Sequence, residues 1–247
     1  MNDTRHRIPP AFLAPRDLAA LIDISAVQTF HTEADVRELA GIAVAEGFIA
    51  AHALPNFVPL LRSLVPIGGV TLVGGPVGFP SGGHTTRTKV TEATELAENG
   101  AQELDMMMNV GRFKSGDLDY VRREIRAVVE AITPVPLKVI LELAYLTDEE
   151  IRTAAALVAE SGAAFVKTGT GWTASATTLE KLKIIVETVE GAVEVKASGG
   201  IRSLDAIADM VRLGVTRFGI NTKVAVDLVR QCAALPGGRL PITGKAD

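Results

Sequence analysis

The sequence predicts one closed (β/α)8 TIM barrel, and three observations carry that expectation. From residue 33 onward, short apolar runs rich in Val, Ile, Leu and Ala alternate with longer amphipathic segments that carry the charges. Such runs read as buried parallel strands, and the longer segments as crossover helices. The alternation gives eight of each at about 27 residues per unit, the count and spacing of a (β/α)8 barrel. No low-complexity linker divides the chain, so residues 1–247 read as a single domain. An open doubly wound sheet is the alternative, because periodicity does not reveal closure. Such a sheet would normally carry G-x-G-x-x-G at a strand-to-helix turn. The nearest match, Gly169-Thr170-Gly171, lacks the third glycine and the acidic residue beyond it.

The units follow in order. An apolar run at 19–23 ends on Asp23 and precedes a helix at 33–46, with Gly47 just past its end. Runs at 48–53 and 69–74 precede helices at 56–63 and 85–99, the second followed by Gly100. A run at 101–108 leads to a helix at 117–131. The run at 137–142 leads to a helix at 148–161, opened by Thr147-Asp-Glu-Glu150. There Thr147 is the N-cap and Glu150 stands at the capping-box position. The run at 163–168 leads to 177–190, the run at 192–197 to 203–213 with Ser203 as N-cap, and the run at 215–219 to 222–232. Gly162, Gly191 and Gly214 again stand where a left-handed helix cap is wanted.

Composition excludes several classes. Lys+Arg total 25 and Asp+Glu 29, for a net charge of −4, and 47% of residues are hydrophobic. That is too apolar for a disordered chain, and a pI near 5.7 is unlike a nucleic-acid or anionic-membrane binder. The opening residues MNDTRHRIPP lack the apolar core of a signal peptide. The long uncharged stretch from Ser63 to Thr86 is broken by Pro66, Pro76, Pro80 and many glycines, so no membrane helix is expected. One cysteine, Cys232, points to a reducing, cytoplasmic home. His6, His31, His52 and His84 are scattered without H-x-x-x-H spacing, so no metal site is expected.

The informative residues are charges inside runs that should be buried. Side chains alternate along a strand. Glu103, Asp105, Met107 and Asn109 therefore share one face, as do Lys138, Ile140 and Glu142. So do Ala163, Phe165 and Lys167, and likewise Ala192, Glu194 and Lys196. If these faces point inward, Glu103, Asp105 and Glu142 meet Lys138, Lys167 and Lys196, with Glu194 left low near solvent. A structural ion-pair network is one reading, since buried charges survive mainly in pairs. Position favours another: Asp105, Glu142, Lys167 and Lys196 stand toward the strands' C-terminal ends, where barrels of this kind build active sites. A lysine amine beside a second cation and a desolvated wall loses its proton more readily and becomes a nucleophile toward carbonyls. Asp105 could then move protons, directly or through water.

At these residues the sequence resembles the deoxyribose-phosphate aldolase family. The likeness rests on Glu103-Leu-Asp-Met-Met-Met-Asn-Val-Gly-Arg-Phe-Lys-Ser-Gly-Asp117, Leu137-Lys-Val-Ile-Leu-Glu142 and Leu146-Thr-Asp-Glu-Glu150. It continues in Phe165-Val-Lys-Thr-Gly-Thr-Gly171 and Val195-Lys-Ala-Ser-Gly-Gly-Ile-Arg202. The resemblance implies a class I aldolase, a carbon–carbon lyase, on a (β/α)8 barrel and commonly a homodimer. It implies Lys167 as the Schiff-base lysine, Lys196 as the lysine that perturbs it, and Asp105 as the acid/base group working with a bound water. Asp23 would join the polar network. The implied reaction joins acetaldehyde to glyceraldehyde 3-phosphate, reversibly, giving 2-deoxyribose 5-phosphate, without a cofactor. The substrate would lie against Thr168, Thr170 and Gly171. Its phosphate would meet backbone N–H groups of Gly199, Gly200 and Ile201, and of Gly219, Asn221 and Thr222.

Departures from the family pattern leave the acceptor aldehyde open, with another phosphorylated or carboxylated aldehyde as the alternative. Gly219-Ile-Asn-Thr-Lys223 replaces the family's glycine–serine segment, and Lys223 either reaches the anion or points to solvent. Trp172 either packs its loop or covers the acceptor pocket. His52 stands where the family has a cysteine and is either a satisfied core histidine or a polar pocket wall. A catalytically silent barrel is a third reading, opposed by the presence of both lysines and the aspartate.

Overall fold

The computed structural model describes residues 10–174 and 176–242. Eight parallel strands close into a barrel. They are β1 (Ile22–Ala26), β2 (Ala50–Ala53), β3 (Leu72–Val77), β4 (Glu103–Met107), β5 (Leu137–Ile140), β6 (Phe165–Lys167), β7 (Glu194–Ser198) and β8 (Arg217–Gly219). Closure is made by β1 on β8, with Asp23 level with Gly219. The helices between and after them are α1 (Glu33–Glu46), α2 (Val58–Leu64), α3 (Thr86–Glu98), α4 (Leu118–Ile132), α5 (Asp148–Glu160), α6 (Leu179–Val189), α7 (Leu204–Leu213) and α8 (Thr222–Ala234). The doubly wound alternative is thereby set aside.

Local chemistry explains why these segments form. α4 buries Val121, Ile125, Val128 and Ile132, a stripe at helical spacing. Each such side chain contributes about 1.5–3 kcal/mol when fully buried. The predicted capping box is present: Thr147 Oγ1 accepts the Glu150 N–H at 3.3 Å, and Glu150 Oε2 accepts the Thr147 N–H at 2.8 Å. Ser203 Oγ accepts the Ala206 N–H at 3.2 Å. Gly47 and Gly214 end α1 and α7 in the left-handed conformation, at φ 73° and 112°.

Two strand positions differ from the sequence reading. The first strand is shifted: Pro15–Ala19 forms a short helix, and the strand runs over Ile22–Ala26 rather than 19–23. Pro15 at the first helical position and Asp17, which accepts the Ala14 N–H at 3.1 Å, start that helix. The third strand runs to Val77, through Gly74, Gly75 and Pro76, which read as a stop. Gly75 is filled from the helix side, where a Cβ would meet Leu96 and Val58 at 3.1 Å, and Gly74 from inside the barrel, by the His52 ring. A two-stranded pairing of Phe12–Leu13 with Leu240–Pro241 and a helical turn at Val110–Lys114 are additional elements. Among the described residues no helix is long and apolar enough to cross a membrane. His6 and the two chain ends, 1–9 and 243–247, lie outside the described residues.

Candidate active site

The inward faces of the strands carry the chemistry, and register sets its layers. Asp105 on β4 pairs with Lys138 on β5, Lys167 on β6 with Lys196 on β7, and Lys196 with Arg217 on β8. Asp105 is the hub. Its Oδ2 lies 2.7 Å from Lys167 Nζ and 2.7 Å from Lys196 Nζ, and its Oδ1 lies 3.2 Å from Lys138 Nζ. Lys196 also reaches Asp23 Oδ2 at 2.5 Å. Lys138 makes an ion pair with Glu103 Oε1 and lies 3.6 Å from Asp23 Oδ2. Arg217 bridges Asp23 Oδ1 at 2.8 Å and Glu103 Oε2 at 2.9 Å.

This cluster decides the state of Lys167. Four cations, Lys138, Lys167, Lys196 and Arg217, face three carboxylates, Asp23, Glu103 and Asp105. The charges balance only when one amine is neutral. Burial would raise the Asp105 carboxyl, but Lys138, Lys167 and Lys196 outweigh it and hold the group well below the usual range. Burial likewise opposes ionisation of Asp23, and Lys196, Lys138 and Arg217 overcome it. Lys138, despite burial, is pushed up by Asp105, Glu103 and Asp23. Lys167 goes the other way. Burial lowers it most, Asp105 opposes, and Lys196 and Lys138 lower it further, to about 8. The amine best placed to shed a proton is therefore the one at the mouth of the cluster.

Above it opens a cavity of about 390 Å³ at the C-terminal rim, lined by Asp23, His52, Asp105, Lys167 and Lys196 among others. Of the residues predicted to bind substrate, Asp23, Thr170, Gly171, Gly199, Gly200, Ile201, Gly219 and Asn221 also line it. Thr222 opens α8, whose N-cap Asn221 accepts the Lys223 N–H at 3.1 Å. Thr168 is turned elsewhere. Its hydroxyl donates to Ser198 O at 2.9 Å and accepts the Ser198 N–H at 2.8 Å, so it stitches β6 to β7 and is fully buried.

Glu142 corrects the strand-parity expectation. The strand ends at Ile140, and Glu142 adopts φ 57°, which swings its carboxylate away from the lysines. It accepts the Thr170 N–H at 3.2 Å and the Thr170 hydroxyl, pinning the loop after β6. Parity fails once a strand has ended. Glu194 sits low on β7, half-buried, and accepts from Thr216 Oγ1 at 2.8 Å. Trp172 packs edge-on against Phe79, with centroids 5.5 Å apart, at the rim of the cavity that Phe79 lines. Lys223 is exposed and does not line the cavity.

Arg217 escaped the sequence reading, although the signal was present. It is a charge in the apolar run 215–219, on the same face as Gly219. His31 and Ser25 also line the cavity from segments that carried no motif, and Ser198 and Arg202 line it from within the 195–202 motif, where neither was singled out. Asp23, His52 and Glu103 offer atoms within 4.8 Å of one another, the spacing of a metal site. Lys138, Lys196 and Arg217 already lie against those oxygens, so the chain supplies the positive charge itself.

A model of the DeoC/LacD family aldolases matches residues 68–221. The chain belongs to this family. A deoxyribose-phosphate aldolase from Sinorhizobium medicae is 86% identical over 248 residues, covering 100% of both chains. One from Klebsiella pneumoniae is 45% identical over 242 residues, covering 96% of this chain and 93% of the relative. Among solved structures, the tetrameric deoxyribose phosphate aldolase from Aeropyrum pernix superposes with a TM-score of 0.79 at 29% identity. It covers 90% of this chain and 94% of its own. In this DeoC/LacD chain both lysines and the aspartate of the aldolase motif meet at one point, Asp105 Oδ2.

Proposed function

We propose that the chain is a class I aldolase that reversibly cleaves 2-deoxyribose 5-phosphate to acetaldehyde and glyceraldehyde 3-phosphate. One observation carries the reading. Lys167, lowered to about 8, lies 2.7 Å from Asp105 at the floor of a cavity shared with Lys196. An amine with that pKa holds a far larger neutral fraction near physiological pH than an ordinary lysine does, and that fraction can attack the sugar aldehyde. Asp105 accepts the amine proton as the carbinolamine forms and exchanges protons, directly or through water, as the iminium develops. Lys196, 2.7 Å from that carboxylate, helps to hold it ionised.

The iminium withdraws the electron pair of the C2–C3 bond, leaving an enamine on Lys167 and releasing the three-carbon aldehyde. Protonation of the enamine and hydrolysis return acetaldehyde and free amine. At the other end of the cavity, backbone N–H groups of Gly199, Gly200, Ile201 and Asn221 and the positive end of α8 suit a phosphate. A Cβ on Gly200 would lie 2.5 Å from the Ala176 Cβ, so glycine lets the loops close there.

We place the enzyme in the cytoplasm as a homodimer. Its single thiol, Cys232, is buried with Sγ 3.6 Å from Leu13 O, unlike an oxidised surface site. Light scattering checks the assembly. For the reaction, a panel of phosphorylated and unphosphorylated aldoses is assayed, together with borohydride reduction in the presence of acetaldehyde. The reading requires turnover of 2-deoxyribose 5-phosphate far above that of 2-deoxyribose, and an ethyl group on the peptide bearing Lys167. Preference for another anionic aldehyde would move the acceptor and leave the amine chemistry standing. Failure to trap Lys167 would sink the whole reading.

A further inference from the structure

We propose that Glu142 is a positioning residue that fixes the Thr170 hydroxyl as an acceptor for the C4 hydroxyl of the sugar. The inference deepens the aldolase reading above and rests on it. Glu142 is a buried carboxylate that the amine chemistry does not use. It stands just past β5 and lies outside the wall of the cavity that holds Lys167, whereas Thr170 is part of that wall. It faces instead a small recess behind the loop, shared with Thr168, Gly169 and Lys181.

The backbone at Glu142 is held in an unusual shape. Among the described residues only Glu142 and Glu190 combine a side chain with positive φ. Glu190 ends α6, where a left-handed cap is ordinary. Glu142 ends no helix, yet it holds φ 57°. A β-carbon disfavours that conformation, so the surroundings must impose it. They do so from both sides. The Leu141 N–H donates to Lys167 O at 2.9 Å, and the Leu143 N–H donates to Thr168 O at 3.0 Å. Lys181 Nζ adds a bond to Leu143 O at 2.7 Å. The kink is thereby fastened to the chain that leaves the reactive lysine.

The kink aims the carboxylate at Thr170. A Cβ on Gly169 would lie 2.8 Å from Glu142 Oε1, so glycine there makes room for the carboxylate. Among the described residues Thr170 supplies all of that carboxylate's hydrogen bonds: its N–H, at 3.2 Å, and its hydroxyl both donate to Oε2. A threonine hydroxyl has one proton and two lone pairs. The proton goes to Glu142, and one lone pair accepts the Trp172 N–H at 3.0 Å. One lone pair is left, so Thr170 offers the cavity an acceptor and no donor.

A sugar held as an imine on Lys167 runs from C1 at the amine toward its phosphate, with the C3 and C4 hydroxyls between. The C3 hydroxyl loses its proton as the C2–C3 bond breaks. The C4 hydroxyl keeps its proton and becomes the 2-hydroxyl of the released aldehyde, so it can donate to Thr170 from substrate to product. A carbonyl at C4 would set acceptor against acceptor, and a plain methylene would leave the lone pair unpaired. Without Glu142 the Thr170 hydroxyl would turn freely and lose that discrimination.

Synthesis from acetaldehyde tests this with two acceptors, glyceraldehyde 3-phosphate and 3-oxopropyl phosphate, which has hydrogen in place of the 2-hydroxyl. The unmodified enzyme should prefer the first in kcat/KM. In Glu142→Gly the backbone strain is relieved, so the protein should fold, yet the preference should shrink by about tenfold, the worth of one hydrogen bond. Glu142→Asp tolerates the same φ but is one methylene too short, and should lose as much. Glu142→Gln, whose amide oxygen can still accept both bonds, should keep the preference. A merely structural role would reverse that order, since glycine suits the backbone best. Thr170→Val should lose the preference as well, and adding Glu142→Gly to it should change the ratio no further. Deuterium exchange into the acetaldehyde methyl group passes through the Lys167 enamine and involves no sugar hydroxyl, so it should stay within a few-fold in the Glu142 variants. An undiminished preference in Glu142→Gly and Glu142→Asp, an equal loss in Glu142→Gln, or exchange lost in step with the preference overturns the proposal, as does an unmodified enzyme indifferent to the 2-hydroxyl. Absence of exchange in the unmodified enzyme would instead count against the aldolase reading itself.

Discussion

Lys89 and Lys167 each hold a carboxylate oxygen at 2.7 Å, Glu124 Oε2 for one and Asp105 Oδ2 for the other, yet the two pairs behave differently. Lys89 lies between α3 and α4 with no exposed surface and donates a second bond to Met107 O at 2.9 Å. It is a single cation that faces Glu124, with Glu92 adding a smaller attraction. Burial lowers Lys89 and raises Glu124, so each partner is drawn toward its neutral form. At Asp105 two further lysines share the carboxylate. The extra positive charge pins Asp105 as an anion and leaves the cost of burial on the Lys167 amine. Burial of a lysine is thus no sign of function. An excess of cations over one carboxylate, with a cavity above, is what frees an amine.

The largest expected effect breaks the comparison if it fails. Lys167→Ala should abolish turnover and borohydride trapping while the fold survives. Lys167→Arg should fail as completely, because a guanidinium stays protonated. Lys89→Met should do the reverse. Leaving Glu124 buried without its partner should cost roughly 3–5 kcal/mol of stability, read from urea unfolding, with turnover per folded molecule nearly kept. Turnover lost in a fully folded Lys89→Met protein would show that the closed pair also belongs to the chemistry.

Next in size is the hub. Asp105→Asn keeps the shape but removes the charge shared by Lys138, Lys167 and Lys196, and turnover should drop by about 10²–10⁴-fold. A variant within a few-fold of wild type would remove Asp105 from proton transfer and leave it as ballast for the lysines.

Lys196→Leu sharpens the same point with a smaller effect. The amine reacts when deprotonated, so activity rises with pH through the Lys167 pKa near 8. Removing a neighbouring cation raises that pKa, and the rising limb of the rate profile should move to higher pH, lowering activity at pH 7. Burial is the larger cause of the shift, so the limb should move only part of the way toward an ordinary lysine. An unmoved limb would mean that desolvation alone sets the amine.

The contrast between these regions also marks what the sequence could tell. Asp105, Lys167 and Lys196 were legible because a charge inside an apolar run is costly, and strand parity put them on one face. Lys89 gave no such signal, since a lysine on a helix is ordinarily solvated and only packing shows this one buried. Arg217 obeyed the same parity rule as the lysines, but its run was short and closed at Gly219, two residues on. Glu142 fails for a different physical reason: alternation holds only while the backbone stays extended, and a left-handed residue ends it. The first strand was placed three residues early because Ala19, Ala20 and Leu21 are apolar like a strand but close the short helix and its turn. The barrel was predicted as closed because unit count and length are global quantities, insensitive to such local slips.

The smallest expected effect lies at the rim. Lys223 is exposed, and its side chain does not line the cavity, whereas its backbone N–H is already taken by Asn221 Oδ1. A cation in the first turn of α8 stands at the helix's positive end, where the dipole disfavours it by a few tenths of a kcal/mol to about 1 kcal/mol. Lys223→Ala should therefore leave KM for 2-deoxyribose 5-phosphate unchanged and relieve that small penalty. Gly200→Ala, by contrast, forces a Cβ toward Ala176 at φ 76° and disturbs the backbone amides that face the phosphate. It should raise KM for phosphorylated substrates and spare unphosphorylated ones. If Lys223→Ala instead raised KM for every anionic aldehyde with kcat unchanged, the side chain would swing onto the bound anion, and charge rather than backbone would hold that end of the substrate.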